Sequence, residues 1–156
     1  MTTTAKQYWL MKSEPEECSI DDALAAPAHT VPWTGVRNYQ ARNFMRDAMK
    51  VGDGVLFYHS SCAEPGIVGI ARVASPSKVD PTQFDAASPY FDAKSKPEEP
   101  RWLLVDVQAV RKTRLLALPE LRGVPALADM VLLRRGNRLS ITPVTAAEWE
   151  VVDKLL

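Results

Sequence analysis

Cysteine and histidine are scarce, with two of each in 156 residues. Cys18 and Cys62 lack C-x-x-C spacing and cannot build a disulfide framework, so a reducing compartment would keep them as thiols. His29 and His59 are too few for a histidine-based metal site. No apolar run approaches the roughly 20 residues that a membrane helix needs. The opening M-T-T-T-A-K-Q-Y-W-L lacks the charged-then-apolar pattern of a signal peptide, and the expectation is a cytoplasmic protein. G-x-S-x-G, the P-loop and G-x-G-x-x-G are all missing. His59 stands beside Ser60, Ser61 and Cys62, but neighbours on a strand point to opposite faces and do not make a nucleophile with its base. The reading is therefore non-catalytic, with no cofactor and no metal.

The formal net charge is zero, which argues against strong nonspecific binding to nucleic acid. The charge is unevenly placed, however. From Met1 to Val36 two basic residues face five acidic ones, whereas from Arg101 to Arg138 eight basic residues face three. A neutral chain can still present one basic face to phosphates.

Tyr8 to Lys12 reads as a short buried strand, stopped by K-S-E-P because Pro15 pushes Glu14 toward an extended conformation. Ser19 is an N-cap for a short helix that ends at Pro27. Asn38 is the N-cap of a helix predicted over Tyr39 to Met49. Val55–Ser60 and Ile67–Ala74 form an antiparallel hairpin, with Gly69 marking a bulge or a close backbone approach. Pro76 to Pro100 is a long proline-rich excursion with one helical turn near Pro81 to Phe84; its size makes it functional or mobile. Trp102 to Arg111 reads as a long strand. Leu118–Leu121 and Ala126–Leu133 are short helical segments. Leu139–Val144 is a strand whose Pro143 implies an edge or an end. Thr145-Ala146-Ala147-Glu148 is a capping box that opens a terminal helix. No repeat or linker divides the chain. A single domain over 1–156 follows, of the mixed α/β (α+β) class: a largely antiparallel sheet, open or curled into a barrel, with helices at its sides.

The stretch V-P-W-T-G-V-R-N-Y from Val31 combines an aromatic, a tight turn and donors at a helix start. Those features suit a flat polar ligand, although a tryptophan read alone is more often a core residue, since large aromatics mostly serve packing. For Lys12 to Glu14 a ligand-facing role and a plain strand end are both open. Flat bases are held by stacking on aromatics and by hydrogen bonds along their edges. Trp33, Asn38 and Tyr58 supply groups of that kind, while Arg134, Arg135 and Arg138 suit phosphate.

Four blocks carry a resemblance: W-L-M-K-S-E-P from Trp9, W-T-G-V-R-N-Y-Q-A-R-N-F-M from Trp33, V-G-D-G-V-L-F-Y-H-S from Val51, and R-L-S-I-T-P-V-T-A-A-E-W from Arg138. In this order they resemble the EVE domain family, over about Tyr8 to Val152. The resemblance implies a PUA-like fold, a curled mixed sheet with flanking helices, related to YTH and ASCH domains. It implies a non-catalytic reader of modified nucleobases, of the 5-methylcytosine type in DNA or of modified RNA. It places Trp33 in the pocket with Val36, Arg37 and Asn38 close by. Lys12, Ser13 and Glu14 form a second wall, and Tyr58, His59 and Ser60 end a strand at the same place. Leu133, Arg134, Arg138, Leu139 and Ser140 close the pocket or meet the nucleic-acid backbone. In this scheme Trp33 stacks, Asn38 and Ser13 bond the base edge, and Arg134 and Arg138 hold phosphate. An enzyme acting on a modified nucleotide and a small-molecule or protein-interaction module are the alternatives.

Overall fold

In chain order the elements are β1 (Tyr8–Ser13), α1 (Ile20–Ala25), β2 (Thr30–Pro32), α2 (Tyr39–Asn43), β3 (Gly54–His59), β4 (Gly66–Val73), β5 (Lys78–Val79), β6 (Leu103–Leu104), β7 (Asp106–Ala117), α3 (Leu118–Arg122), β8 (Ile141–Val144) and α4 (Ala146–Leu155). They come from a computed structural model that describes residues 6–156. The first five residues of the opening stretch read above for a signal peptide lie outside the described residues.

One six-stranded sheet runs β2-β7-β4-β3-β1-β8, and β5-β6 form a separate pair. Only β1 and β3 are parallel, in a register that sets Trp9 beside Val55 and Ser13 beside His59. The edge strands β2 and β8 do not pair with each other, so the sheet is curled but not a closed barrel. Pro143 sits on the edge strand β8, where a missing donor is tolerated.

Strand alternation explains why the centre of the sheet is buried on both faces. Trp9, Met11, Val55 and Phe57 pack on one side with Ile20 and Ala23 of α1, Ala41 of α2, and Trp33. Leu10, Leu56, Tyr58, Ile67 and Leu116 pack on the other with Leu121, Leu127, Met130 and Val152. Gly69 lies at register shifts in both of its pairings. A Cβ there would stand 2.5 Å from Ile20 Cδ1, so its absence lets α1 approach the sheet. The buried Asp53 carboxylate accepts from the Trp9 indole N–H at 3.0 Å and from the Lys50 backbone N–H at 2.9 Å, closing the turn before β3.

Three expectations change. The strand expected over Trp102–Arg111 is two strands: β6 pairs with β5, and β7 starts at Asp106 and runs on to Ala117. Its far end is extended because Leu116 and Ala117 pair with Ile67 and Gly66. The helix expected over Tyr39–Met49 is α-helical only to Asn43 and continues as a π-helical turn over Phe44–Ala48, in which the Met49 N–H donates to the Phe44 carbonyl at 2.8 Å. The segment Ala126–Leu133 is two short 3₁₀ turns, Pro125–Leu127 and Val131–Leu133.

Candidate functional site

Because β1 and β3 are parallel, their carboxyl ends leave the sheet side by side. The Ser60 N–H donates to the Ser13 carbonyl at 3.0 Å, and the Lys12 N–H to the Ser140 carbonyl at 2.8 Å. These bonds gather three chain segments at one end of the sheet. After Pro15 the chain turns back, with the N–H groups of Glu17 and Cys18 both donating to the Glu14 carbonyl at 2.9 Å. From the other side β2 delivers Val31, Pro32 and Trp33, and the Trp33 N–H donates to the Val105 carbonyl at 2.9 Å.

Together these segments enclose a cavity of about 480 Å³, within the range usual for ligand sites. It is lined by Lys12, Ser13, Glu14, Glu17, Cys18, Val31, Pro32, Trp33, Thr34, Gly35, Val36, Ser60, Ser61, Tyr90, Arg138 and Ser140. Eight of the residues named from the sequence therefore share it: Lys12, Ser13, Glu14, Trp33, Val36, Ser60, Arg138 and Ser140.

The other named residues lie elsewhere, each for a visible reason. Asn38 caps α2, its side-chain oxygen accepting from the Ala41 N–H at 3.0 Å, which engages that oxygen away from a base edge. Tyr58 points to the opposite face from Phe57 and is buried in the second core cluster. His59 accepts from the Ile20 N–H at 3.1 Å and so fastens the start of α1. Burial lowers its pKa, against the raising effect of the nearby Asp21 carboxylate. Leu133 packs against the second core cluster. The Leu139 N–H donates to the Asn137 side chain at 3.1 Å. Arg134 is exposed on the loop before β8.

Arg37 is turned behind the cavity wall. Its Nε and Nη2 donate to the Tyr90 carbonyl at 3.0 and 2.7 Å, and its Nη1 pairs with Asp80 at 3.1 Å. It also lies 5.5 Å from the ring centroids of both Tyr90 and Trp102. Trp102 stacks on Tyr39 at 4.8 Å, and Arg42 covers Tyr39 at 4.8 Å. A run of stacked guanidinium and aromatic groups, Arg42, Tyr39, Trp102, Arg37 and Tyr90, thus extends from α2 to the cavity wall.

Tyr90, Glu17 and Thr34 are polar lining residues that sequence reasoning did not single out. Tyr90 comes from the proline-rich excursion, which is packed around the buried Gln83: the Gln83 amide donates to the Trp102 carbonyl at 2.7 Å, and its oxygen accepts from the Trp102 N–H at 3.1 Å. The Tyr90 hydroxyl donates to Glu17. Burial, reinforced by that bond and by the charges of Glu17 and Glu14, pushes the phenol up to about 12. Gly35 has φ +84° and takes the Tyr90 ring against its face, where a Cβ would meet Cζ at 2.6 Å. The only signal available was that Tyr90 is one of three aromatics, with Phe84 and Phe91, in a largely polar excursion.

The wall is mixed in character. Trp33, Val31, Pro32 and Val36 give an apolar side, Glu14 and Glu17 two carboxylates, and Lys12 and Arg138 two cations. Burial holds the Lys12 ammonium below its ordinary range. Ser13 donates its hydroxyl to the Cys18 carbonyl at 2.6 Å and keeps its acceptor capacity. Among the described residues no cluster of three or more His, Cys, Asp or Glu could hold a metal ion.

The EVE domain profile matches residues 7–155. Thymocyte nuclear protein 1 from Gallus gallus is 46% identical, over 95% of this chain and 68% of its own length. Its Danio rerio counterpart is 47% identical, over 94% and 71%. A solved structure of a Pseudomonas putida protein superposes with TM-score 0.90 at 48% identity, covering 95% of this chain and 98% of that one. The human THYN1 protein in complex with 5-methylcytosine-containing DNA superposes with TM-score 0.91 at 44% identity, covering 96% and 97%. A YTH domain from Zygosaccharomyces rouxii shares the fold at TM-score 0.53 and 14% identity. The cytoplasmic expectation is overturned here, because the relatives carry the name of a nuclear protein. The profile match and these identities establish that the chain belongs to the EVE domain family.

Proposed function

We propose that this chain is a non-catalytic reader that takes one modified base, of the 5-methylcytosine type in DNA, into the cavity beside Trp33. The observation that carries the reading is the cavity itself. It joins an aromatic and aliphatic side to hydrogen-bonding groups of both polarities, with Arg138 in its lining. A cytosine ring needs that combination: a flat apolar contact for its face and methyl, and donors and acceptors for its edge. The human relative bound to 5-methylcytosine-containing DNA supports the choice of base.

The charge distribution supports the choice of partner. Arg111, Lys112 and Arg114 on β7 are each paired, with Asp153, Asp21 and Glu120. Among the described residues Arg134, Arg135 and Arg138 have no such partner. The basic surplus of the C-terminal half is thus neutralised along the sheet and available in the loop at the cavity rim. Taking a base out of a duplex costs a few kcal/mol, roughly, which stacking and phosphate contacts must offset.

The test is binding of the whole protein to oligonucleotides that differ at one base, in DNA and in RNA. A 5-methylcytosine probe should bind more tightly than its plain counterpart, and RNA probes with modified bases rank the second polymer. If the three loop arginines contact phosphates, log affinity should fall with log salt at a slope of roughly 3. Equal affinity for every probe would remove the base-reader role. A mass change in the probe after incubation would mark an enzyme instead.

A further inference from the structure

The proline-rich excursion adds no strand to the six-stranded sheet, yet it delivers Tyr90 to the cavity wall, where the residue is fixed from three directions. Arg37 holds the Tyr90 carbonyl from behind with two hydrogen bonds. Gly35 leaves the space in which the ring lies. Glu17 accepts from the hydroxyl. The carbonyl of Glu14 anchors the turn that carries Glu17, so the two carboxylates belong to one short, tied segment.

An ionised carboxylate has about four acceptor sites and no donor. The Tyr90 phenol occupies part of Glu17. Among the described residues no other protein donor reaches the carboxylate of Glu17 or of Glu14. This side of the cavity therefore offers acceptors to whatever enters. The phenol stays neutral throughout the physiological range, so it remains the donor of its pair and Glu17 the acceptor.

We infer that Glu17, oriented by Tyr90, together with Glu14 makes this wall a selector for a base edge carrying an exocyclic amine. The inference rests on the base-reader reading above. Cytosine and 5-methylcytosine present N4–H₂, a donor to carboxylate. Thymine carries the same 5-methyl group but presents the O4 acceptor there. A carbonyl oxygen set against a carboxylate brings two acceptors together with no proton between them, and the base loses a hydrogen bond that it makes in water. The methyl group alone therefore does not define the ligand. Glu14 and Glu17 are specificity residues, and Tyr90 is the positioning residue that aims one of them.

Four single-stranded DNA probes, identical except for cytosine, 5-methylcytosine, uracil or thymine at one position, separate amine from methyl. For the wild-type chain, 5-methylcytosine should bind about 10- to 100-fold more tightly than thymine, the range expected for one hydrogen bond to a charged group. In Glu17→Gln the 5-methylcytosine to thymine ratio should fall toward one, while the 5-methylcytosine to cytosine ratio holds. Tyr90→Phe, which keeps the ring, should lower the first ratio part of the way. Glu14 and Glu17 are exposed, so circular dichroism should show their glutamine variants folded. A wild-type chain that prefers 5-methylcytosine to cytosine yet binds thymine equally well overturns the amine selector and leaves the reader intact. A ratio unchanged in both Glu14→Gln and Glu17→Gln does the same. No preference among the four probes overturns both.

Discussion

Trp33→Ala should lose about 3–5 kcal/mol of folding stability, the usual cost of truncating a buried large aromatic. Trp33 is only 7% exposed. Its ring meets Phe57 edge to face at 5.2 Å, and Phe57 is fully buried in the middle of the sheet. Alanine would open a void between β2 and β3, and neighbours held by strand pairing could not collapse into it. Urea denaturation should show the loss, with a melting temperature lower by on the order of 10 °C. A change below about 1 kcal/mol would mean that the indole is not part of the core. The sequence leaves both a core role and a base-stacking role open for Trp33, and the packing places it in the core: a base stacked on Trp33 would use a ring whose other contacts hold the fold together. Trp33→Phe is the informative variant for binding, since it keeps most of the packing.

The second large effect is at Arg37. Its guanidinium makes five hydrogen bonds: two to the Tyr90 carbonyl and one each to Val36, Asp80 and Thr82. The Asp80 side chain is 0% exposed. Removing one partner of a buried pair costs about 3–5 kcal/mol, and Arg37→Ala should fall near 3 because Asp80 keeps the N–H groups of Gly35 and Thr82 and the Thr82 hydroxyl. Burial alone pushes the Asp80 carboxyl up, but the bonds from Thr82, Gly35 and Arg37 outweigh it and hold the carboxyl below its ordinary 3.8. With the folded value below the unfolded one, Asp80 stabilises the fold above about pH 4, and that contribution is lost as pH falls through the folded value. Arg37→Ala removes one of the opposing causes, so the acid loss should begin at higher pH. Unfolding curves from pH 7 down to 3 test both parts. A variant as stable as the wild type, with an unchanged acid limb, would sink the assignment. Lysine should not restore the site, because one ammonium cannot reproduce a planar fork that grips Tyr90, Asp80 and Thr82 together.

Features with a local cause were legible from the residues. Ser19 and Thr145 cap their helices with bonds to the backbone three residues on, and Asn38 does the same. Gly69 marks irregular pairing, and Pro143 lies on an edge. Features with a distant cause were not. The start of β7 depends on β5 drawing Leu103 and Leu104 away, and its end on Gly66, some fifty residues earlier in the chain. The conversion of α2 to a π-helical turn leaves its apolar spacing intact and so gives no pattern to read.

The same division holds at the cavity. The strand-end blocks around Lys12, Trp33, Ser60 and Arg138 each contain residues that line it. Within those blocks single residues were assigned too freely. Tyr58 and His59 flank Ser60 in sequence, but one is buried in the second core cluster and the other is bound to α1. Tyr90 reaches the cavity through hydrogen bonds to Arg37, 53 residues away, and no periodicity encodes such a contact.

The cavity is assembled from five stretches of chain: residues 12–18, 31–36, 60–61, 90 and 138–140. No fragment contains it, and it vanishes when the sheet comes apart. Any ligand of the cavity is therefore also a thermodynamic brace for the whole molecule, adding about 2.7 kcal/mol to its stability at a hundredfold excess over Kd. A rise in melting temperature can thus reveal an occupant before its chemistry is known.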